Sequence, residues 1–162
     1  MATANLSEYN PSSVPDAGKM SFGIVVSDWN HEITQDLLDG AVKTLIKHGA
    51  QEDNIIVRNV PGSFELPLGA QLLADSHEPD AIICIGCVIQ GETPHFTFIC
   101  ESVSRGLMQL NLEYKIPFVF GVLTTNTMEQ AKARSGGIHG NKGDEAAVTA
   151  IKMAFLKQDI RK

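Results

Sequence analysis

The segment from Gly86 to His95 combines residue types that bind an anion and move a proton. Gly91 permits close approach to the backbone, Thr93 is a suitable helix N-cap, and Pro94 is a suitable first helical residue. A helix that begins here presents free backbone N–H groups, which can bind a phosphate. Many ordinary helices begin in the same way and bind nothing, so the segment alone leaves both interpretations open.

His95 lies in the first turn of this expected helix, where the positive end of the helix dipole disfavours imidazolium. A neutral imidazole beside an anion site can accept a proton, which makes His95 the candidate general base. The alternative is a surface His without a task. That is the interpretation for the other four: His31, His48, His77 and His139.

Two further candidates follow other apolar runs. Trp29 is the only Trp in the chain, and its ring can stack on a planar heterocycle or simply pack. Glu65 comes soon after Pro61 and Gly62 and can accept hydrogen bonds from a polyhydroxylated ligand; a solvated carboxylate at a helix start is the alternative.

Familiar cofactor and metal motifs are missing from the sequence. Cys84 and Cys87 have CxxC spacing, but an odd offset in a strand points them to opposite faces, which argues against a metal or redox pair. The chain contains neither GxGxxG nor a Walker A sequence. We therefore expect no metal site and no dinucleotide or nucleoside triphosphate site.

The candidates need a scaffold, and alternating strand and helix patterns predict one. Nearly continuous apolar runs predict strands over residues 22–26, 55–60, 81–89 and 118–123, as in a buried parallel sheet. Helical patterns cover residues 31–48 (with Asn30 as N-cap and Gly49 past the end), 64–74, 95–114, 128–134 and 142–156. The expected fold is an α/β/α three-layer sandwich with a four-stranded parallel sheet, whose ligands bind at the carboxyl ends of the strands.

Composition limits the class of protein. With 162 residues, 43% hydrophobic and 20% charged, the chain is expected to form one domain over residues 21–162, preceded by a polar arm over residues 1–20 that can extend the sheet as an added strand. The net charge of −6 without a basic cluster argues against nucleic acid, and no apolar run approaches the roughly 20 residues of a membrane span. The arm does not read as a signal peptide, and the cysteine count is odd, at three, so we expect a cytoplasmic protein.

Taken together, these loops resemble the lumazine synthases. The resemblance covers about residues 21–157 and rests on Trp29-Asn30, on Pro61-Gly62-Ser63-Phe64-Glu65-Leu66-Pro67, on residues 86–95, and on Phe120-Gly121-Val122-Leu123-Thr124 continuing to Gln130-Ala131, Arg134 and Gly140-Asn141-Lys142-Gly143. It implies a flavodoxin-like sheet and a transferase of riboflavin biosynthesis. The reaction implied condenses 5-amino-6-(D-ribitylamino)uracil with 3,4-dihydroxy-2-butanone 4-phosphate without a metal or organic cofactor.

The resemblance also implies roles for residues. Trp29 would stack on the pyrimidine, Ser63 and Glu65 would hold the ribityl chain, and the backbone of Val88 and Ile89 would bond the ring edge. Phosphate would be bound by Gly91, Glu92 and Thr93 with Arg134, and His95 would transfer protons, paired with Glu145. Phe120 and Lys142 would close the site from a neighbouring subunit; Asn30, Phe64 and Gln90 lie in the matching segments and count as binding residues.

The resemblance further implies a homo-oligomer whose active sites lie between adjacent subunits of a pentamer. The short link from Arg134 to Lys142 is similar to that of members whose pentamers form sixty-subunit shells. Departures are Gln90, where many members have Arg or Lys, Glu145 where Asp is common, and Ile138-His139 in place of Lys-Ala. The alternatives are a non-catalytic flavin- or lumazine-binding protein and a mainly structural shell protein.

Overall fold

The computed structural model describes residues 9–160. Its main feature is a four-stranded parallel sheet with strand order β2-β1-β3-β4. The strands are β1 (Phe22–Ser27), β2 (Ile55–Val60), β3 (Ala81–Ile89) and β4 (Phe118–Thr125). Each apolar run of the sequence has become a strand, which confirms the predicted sheet.

Helices cover both faces of the sheet. They are α1 (His31–Lys47), α2 (Leu66–His77), α3 (His95–Tyr114), α4 (Met128–Lys132) and α5 (Lys142–Ile160). The apolar residues of α1 and α5 form one buried cluster with one face of the sheet, and those of α2 and α3 form a second cluster with the other face. The three-layer sandwich is therefore confirmed.

Alternation along the strands assigns each side chain to a layer. All six residues of β1 are buried; Ile24 and Val26 belong to the cluster of α1 and α5, whereas Val25 belongs to that of α2 and α3. In β3, Cys84 and Cys87 belong to different clusters, so their side chains lie on opposite faces as predicted. Both are free thiols.

Local predictions at the helix starts were only partly correct. Asn30 stands at the N-cap position of α1 as predicted, but its backbone is left-handed (φ 59°, ψ 43°) and its side chain makes no cap hydrogen bond. Pro94 rather than Thr93 stands at the N-cap of α3, with helical dihedrals and no side-chain cap, because the chain is already turning into the helix at Pro94. Residues Ser63–Glu65 form a short 3-10 helix before α2 begins.

The sequence also missed a small hairpin. Strands β5 (Ser135–Gly137) and β6 (Gly140–Asn141) pair antiparallel between α4 and α5. Two of its glycines have positive φ, 120° at Gly136 and 71° at Gly140, and these favour glycine. The three-residue and two-residue strands are too short to show an alternating pattern.

Residues 9–20 pack against the sandwich. Ala17 and Met20 are buried in the cluster of α1 and α5, and the Ala17 N–H donates to the His48 carbonyl at 2.8 Å. Tyr9 Oη and His48 Nε2 are 2.8 Å apart, and burial, followed by the charge of Lys47, lowers the pKa of His48. Residues 9–20 contain a 3-10 turn (Pro11–Ser13) and no strand; residues 1–8, on which the rest of the predicted added strand falls, lie outside the described residues.

Strand β4 is the edge strand that bears on the site. It pairs with β3 on one side, and within residues 9–160 no strand pairs with its other side. Its free edge runs between α3 and α5, which leaves backbone groups available for an additional partner.

Within residues 9–160, none of the helices has the length and apolar character needed to cross a membrane.

Candidate active site

The first part of the candidate site lies at the carboxyl ends of β1, β2 and β3. Hydrogen bonding between β1 and β2 continues past the strands, from Asp28 N to Val60 O at 2.9 Å and from Trp29 N to Pro61 O at 3.1 Å. This pairing fixes Trp29 beside the Pro61-Gly62 turn. We call residues 28–30, 61–65 and 88–95 the rim loops.

Trp29 lies over Gly62. A Cβ added to Gly62 would come within 2.6 Å of Trp29 Cε3 and Cζ3, so the indole contacts the glycine backbone. The residue is nevertheless 65% exposed. Since one part of the ring rests on Gly62 while most of it is open, the geometry suits stacking on a ligand better than core packing.

Glu65 is tied to the same turn. Its Oε2 accepts a hydrogen bond from the Gly62 N–H at 3.0 Å, and the residue is half-buried. The carboxylate is thus held in place by the backbone, unlike a freely solvated one. Neighbouring Ser63 is buried beside Gly86, and Phe64 is exposed.

Asn30 links the loop after β1 to β3. Its Nδ2 donates to the Cys87 carbonyl at 2.9 Å, immediately before Val88. Asn tolerates the left-handed backbone better than most residues, which explains how the chain turns here without Gly. The sequence placed Asn30 in the site but did not reveal this positioning role.

The loop after β3 stays attached to the sheet and then opens. Val88 and Ile89 pair with β4 and are half-buried, and Gln90 N donates to Thr125 O at 2.8 Å. The next five residues, 91–95, are exposed, and a Cβ on Gly91 would meet nothing within 4 Å.

The start of α3 offers backbone donors. Its first hydrogen bonds run from Thr97 N (3.0 Å) and Phe98 N (3.3 Å) to Pro94 O, so the N–H groups of His95 and Phe96 come before the first intrahelical donors. An anion can approach them from the open loop. His95 itself is exposed at this helix start.

The second part of the candidate site is a groove of about 560 Å³ along the free edge of β4. We call it the edge groove; its predicted site residues are Phe120, Arg134, Lys142 and Glu145. Lys142 Nζ donates to Glu145 Oε1 at 2.7 Å, and Arg134 Nη1 donates to the Gln130 carbonyl at 3.0 Å. Phe120 is 44% exposed.

Asn141 holds the end of the edge groove and was missed as a positioning residue. Its Oδ1 accepts from Gly143 N and its Nδ2 donates to Asp36 O, both at 2.8 Å. It therefore caps α5 and fixes the start of that helix, including Lys142, against α1. An Asn directly before a helical pattern is an N-cap signal that could have revealed it.

A single chain keeps the rim loops and the edge groove apart. His95 begins α3, which packs on one face of the sheet, whereas Glu145 lies on α5, which packs on the other face. Glu145 forms an ion pair with Lys142 on the same helix. Arg134 likewise lines the edge groove rather than the open loop at Gly91. In the described part of the chain, no group of three or more His, Cys, Asp or Glu side chains is placed to hold a metal ion.

Comparison with known proteins gives one consistent family. The family model described as 6,7-dimethyl-8-ribityllumazine synthase matches residues 19–158. A protein of that name from Parabacteroides distasonis is 60% identical over 155 residues, which is 94% of this chain and 97% of its own. A protein of the same name from Porphyromonas gingivalis is 56% identical over 98% of this chain and 99% of its own length. Another from Bacteroides fragilis is 62% identical over 83% of this chain and 94% of its own length. The chain therefore belongs to the 6,7-dimethyl-8-ribityllumazine synthase family.

Proposed function

We propose that the protein is a 6,7-dimethyl-8-ribityllumazine synthase acting in riboflavin biosynthesis. It condenses 5-amino-6-(D-ribitylamino)uracil with 3,4-dihydroxy-2-butanone 4-phosphate and releases phosphate and water. The observation that carries the proposal is the family match over residues 19–158, together with an exposed indole and an open helix start at the carboxyl ends of the strands.

The rim loops bind the pyrimidine substrate. Its ring stacks on the open part of Trp29, and its polar edge bonds to the backbone at Val88 and Ile89, whose positions are fixed by pairing with β4. Ser63 and Glu65 hold the ribityl chain. Glu65 suits this role because its carboxylate is already oriented by the Gly62 N–H.

The phosphate of the second substrate binds at the exposed loop Gly91-Glu92-Thr93 and the start of α3. The free N–H groups there and the positive end of the helix dipole favour an anion. Arg134 adds a planar fork of donors that suits two phosphate oxygens. Since Arg134 lines the edge groove of its own chain, it serves the rim loops of a neighbouring subunit.

The reaction runs through an imine, loss of phosphate and ring closure. His95 moves protons at the start of α3. Glu145 of the adjacent subunit leaves its ion pair with Lys142 and pairs with His95 instead. No metal or organic cofactor takes part. Much of the rate comes from holding the aromatic amine and the hydroxyketone in register, because an oriented pair reacts as a unimolecular system.

The working unit is a homo-oligomer, a pentamer with active sites between adjacent subunits, and twelve pentamers can form a sixty-subunit shell. Large apolar side chains on the outer surface of α2 and α3 support this assembly because they are exposed in one chain: Leu68, Leu72, Phe98, Met108 and Leu112. The free edge of β4 supports it too. We place the enzyme in the cytoplasm, in keeping with its three free cysteines.

The proposed activity is tested by mixing the purified protein with both substrates and following the fluorescence of the lumazine product. We expect formation well above the rate in buffer, and none above it with heat-unfolded protein. Formation no faster than in buffer, with ligand still bound, would instead identify a flavin or lumazine carrier. Assembled particles that bind neither substrate would identify a structural shell protein.

A further inference from the structure

Strand β4 is an edge strand without a charged residue. Its eight residues, Phe118–Thr125, are mostly aromatic, β-branched or aliphatic, and within residues 9–160 no strand pairs with its outer side. An uncharged segment of this kind at a sheet edge readily pairs with the same segment of another copy. Proteins usually protect such an edge, so the backbone groups along β4 indicate where protection is found.

Alternation along β4 decides which of these groups face outward. The Pro117 carbonyl accepts a hydrogen bond from Ile82 N at 2.8 Å. The Thr125 carbonyl accepts one from Gln90 N at 2.8 Å, so the odd-numbered residues of β4 face β3 and its continuation. Since successive strand residues direct their N–H and C=O groups to opposite sides, the even-numbered residues face the free edge. They are Phe118, Phe120, Val122 and Thr124.

At Phe118 the outward groups are already bound by a side chain of α3. Asn111 Oδ1 accepts from Phe118 N, and Asn111 Nδ2 donates to Phe118 O, both at 2.9 Å. Nδ2 also donates to Leu107 O at 2.8 Å, one turn earlier in α3, which fixes the orientation of the amide. The half-buried amide thus presents one donor and one acceptor to Phe118, as a residue of a paired strand does.

The rest of the outward edge has no such cover. Within residues 9–160, neither a strand nor a side chain bonds to the outward backbone groups of Phe120, Val122 or Thr124. The side chains of Phe120 and Thr124 are exposed, and this stretch lines the edge groove together with Arg134 and Lys142. The edge of β4 is therefore closed at its amino end and open where the edge groove carries its charged residues.

We propose that Asn111 is an edge guard: it prevents a second copy of the chain from pairing a strand along the whole of β4 and confines contacts between copies to residues 120–124. A strand that paired with all of β4 would have to displace the Asn111 amide from both Phe118 groups and from Leu107 O. The guard shortens the edge that is available for open-ended pairing. The inference rests on the proposed assembly of copies and states which part of β4 a neighbouring subunit reaches.

The test replaces Asn111 by Ala and makes two measurements. Residue-resolved amide exchange should show the Phe118 N–H of soluble Asn111→Ala exchanging about 10-fold faster than in the parent protein, as for the loss of one neutral hydrogen bond. Light scattering and thioflavin T binding, measured equally far below each protein's own melting temperature, should show β-rich aggregates that grow several-fold faster in Asn111→Ala.

Two further variants separate an open edge from lost stability. Asn111→Asp keeps an acceptor for Phe118 N, loses the donor to Phe118 O and adds a charge that opposes strand pairing. It should melt at a lower temperature than the parent but aggregate no faster. Gln35→Ala removes an exposed amide of α1 that donates to Asp39 at 2.8 Å, and it should match the parent in both measurements.

Three results would overturn the inference. They are an unchanged exchange rate of the Phe118 amide in Asn111→Ala, aggregation of that variant no faster than that of Gln35→Ala, or aggregation of Asn111→Asp as fast as that of Asn111→Ala. If Asn111→Ala is recovered only as aggregate, Asn111→Asp decides, because a variant that stays dispersed supports the guard and one that aggregates contradicts it. No substrate is used, so the expected exchange pattern without lumazine formation would contradict the proposed enzyme alone.

Discussion

At the scale of single residues, the contact between Trp29 and Gly62 decides whether the site presents a flat surface. Gly62 has ordinary extended dihedrals (φ −135°, ψ 175°), so it is needed for space rather than for backbone freedom. A methyl group at this position would meet the indole at 2.6 Å. The Trp side chain can move because it is largely exposed.

We therefore expect Gly62→Ala to displace the ring and raise KM for the pyrimidine substrate about 2- to 10-fold, the range of a lost aromatic contact. Stability should change by no more than about 1 kcal/mol, since no core atom is displaced. Trp fluorescence measures the displacement of the ring, steady-state kinetics measure KM, and thermal unfolding measures the change in stability. Gly91→Ala is the spectroscopic control, because its Cβ would meet nothing within 4 Å; the same emission change in both variants would contradict the contact.

His95 tests how much of the rate depends on proton transfer. If positioning supplies most of the acceleration, His95→Ala should lower kcat by less than the roughly 10² to 10⁴ usual for a lost general acid or base. Steady-state kinetics on the folded variant measure the effect. Complete loss of turnover in a variant that still binds the product would show that proton transfer dominates.

At the scale of elements, α1 and α5 approach each other closely at Gly40, Asn141 and Gly143. A Cβ on Gly40 would come within 2.6 Å of the Asn141 side chain, and one on Gly143 would clash with the Leu37 carbonyl. Asn141 uses this close approach to cap α5 and to bond the backbone of α1. We expect Asn141→Ala to lower the free energy of unfolding by about 1–2 kcal/mol, as for a lost N-cap.

Denaturant unfolding of Asn141→Ala measures this loss, with Gln35→Ala on the exposed surface of α1 as a control. The Gln35 side chain donates to the exposed Asp39 carboxylate at 2.8 Å, so its removal should cost much less. Equal stability of the two variants would show that the cap contributes nothing beyond a surface contact.

The burial of the three cysteines on β3 and α3 predicts the order in which their thiols react. Burial raises the pKa of Cys87 to about 11 and also raises the pKa values of Cys84 and Cys100; Cys84 and Cys87 are buried, whereas Cys100 on α3 is only half-buried. Since the thiolate is the reactive form, native protein at pH 8 should react with an alkylating reagent at Cys100 first, and at Cys84 and Cys87 only on unfolding. Mass spectrometry of digested samples locates the label.

The same pKa shifts make stability depend on pH. Between the ordinary value of 9.0 and about 11, the folded state keeps the Cys87 proton and the unfolded chain loses it. The free energy of unfolding should therefore decrease as pH rises through this window. Rapid labelling of Cys87 in the native protein at pH 8 would contradict both statements.

The elements also show what could be predicted from the sequence. The apolar runs predicted the four strands of the parallel sheet: β1 and most of β3 are buried on both faces and are apolar, and the partly exposed edge strands β2 and β4 still carry enough apolar residues to be recognised. Gly49 correctly marked the end of α1 with a φ of 101°. The side-chain contact of Asn30 could not be predicted, because its hydrogen bond to Cys87 joins positions 57 residues apart.

At the scale of the whole molecule, one chain carries two incomplete sites. The rim loops hold the exposed Trp29 ring and the open start of α3, to which we assign the pyrimidine and the phosphate, while the edge groove holds the cationic and acidic side chains of Arg134, Lys142 and Glu145. The sequence predicted the members of both groups through a family resemblance. It could not show by residue spacing alone that they lie on different sides of one subunit.

This separation makes subunit mixing a direct test. Trp29→Ala removes the proposed stacking surface of the rim loops, and Arg134→Ala removes the proposed phosphate contact of the edge groove, so each variant alone should show a raised KM and weak turnover at low substrate. If each active site joins the rim loops of one subunit to the edge groove of the next, refolding equal amounts together yields two intact halves at about a quarter of the interfaces. Lumazine formation at low substrate should then recover to about that fraction of the parent rate.

The control for this experiment is the protein carrying both substitutions, refolded with itself, which should show no recovery. Particle mass measured on the same samples distinguishes five subunits from sixty, and either assembly supports shared sites. A mixture no more active than the average of its two components would mean that each chain completes its own site, and Arg134 would then have to reach Gly91 within one subunit. The present geometry opposes that outcome, because Arg134 lies with Phe120 and Lys142 along the free edge of β4.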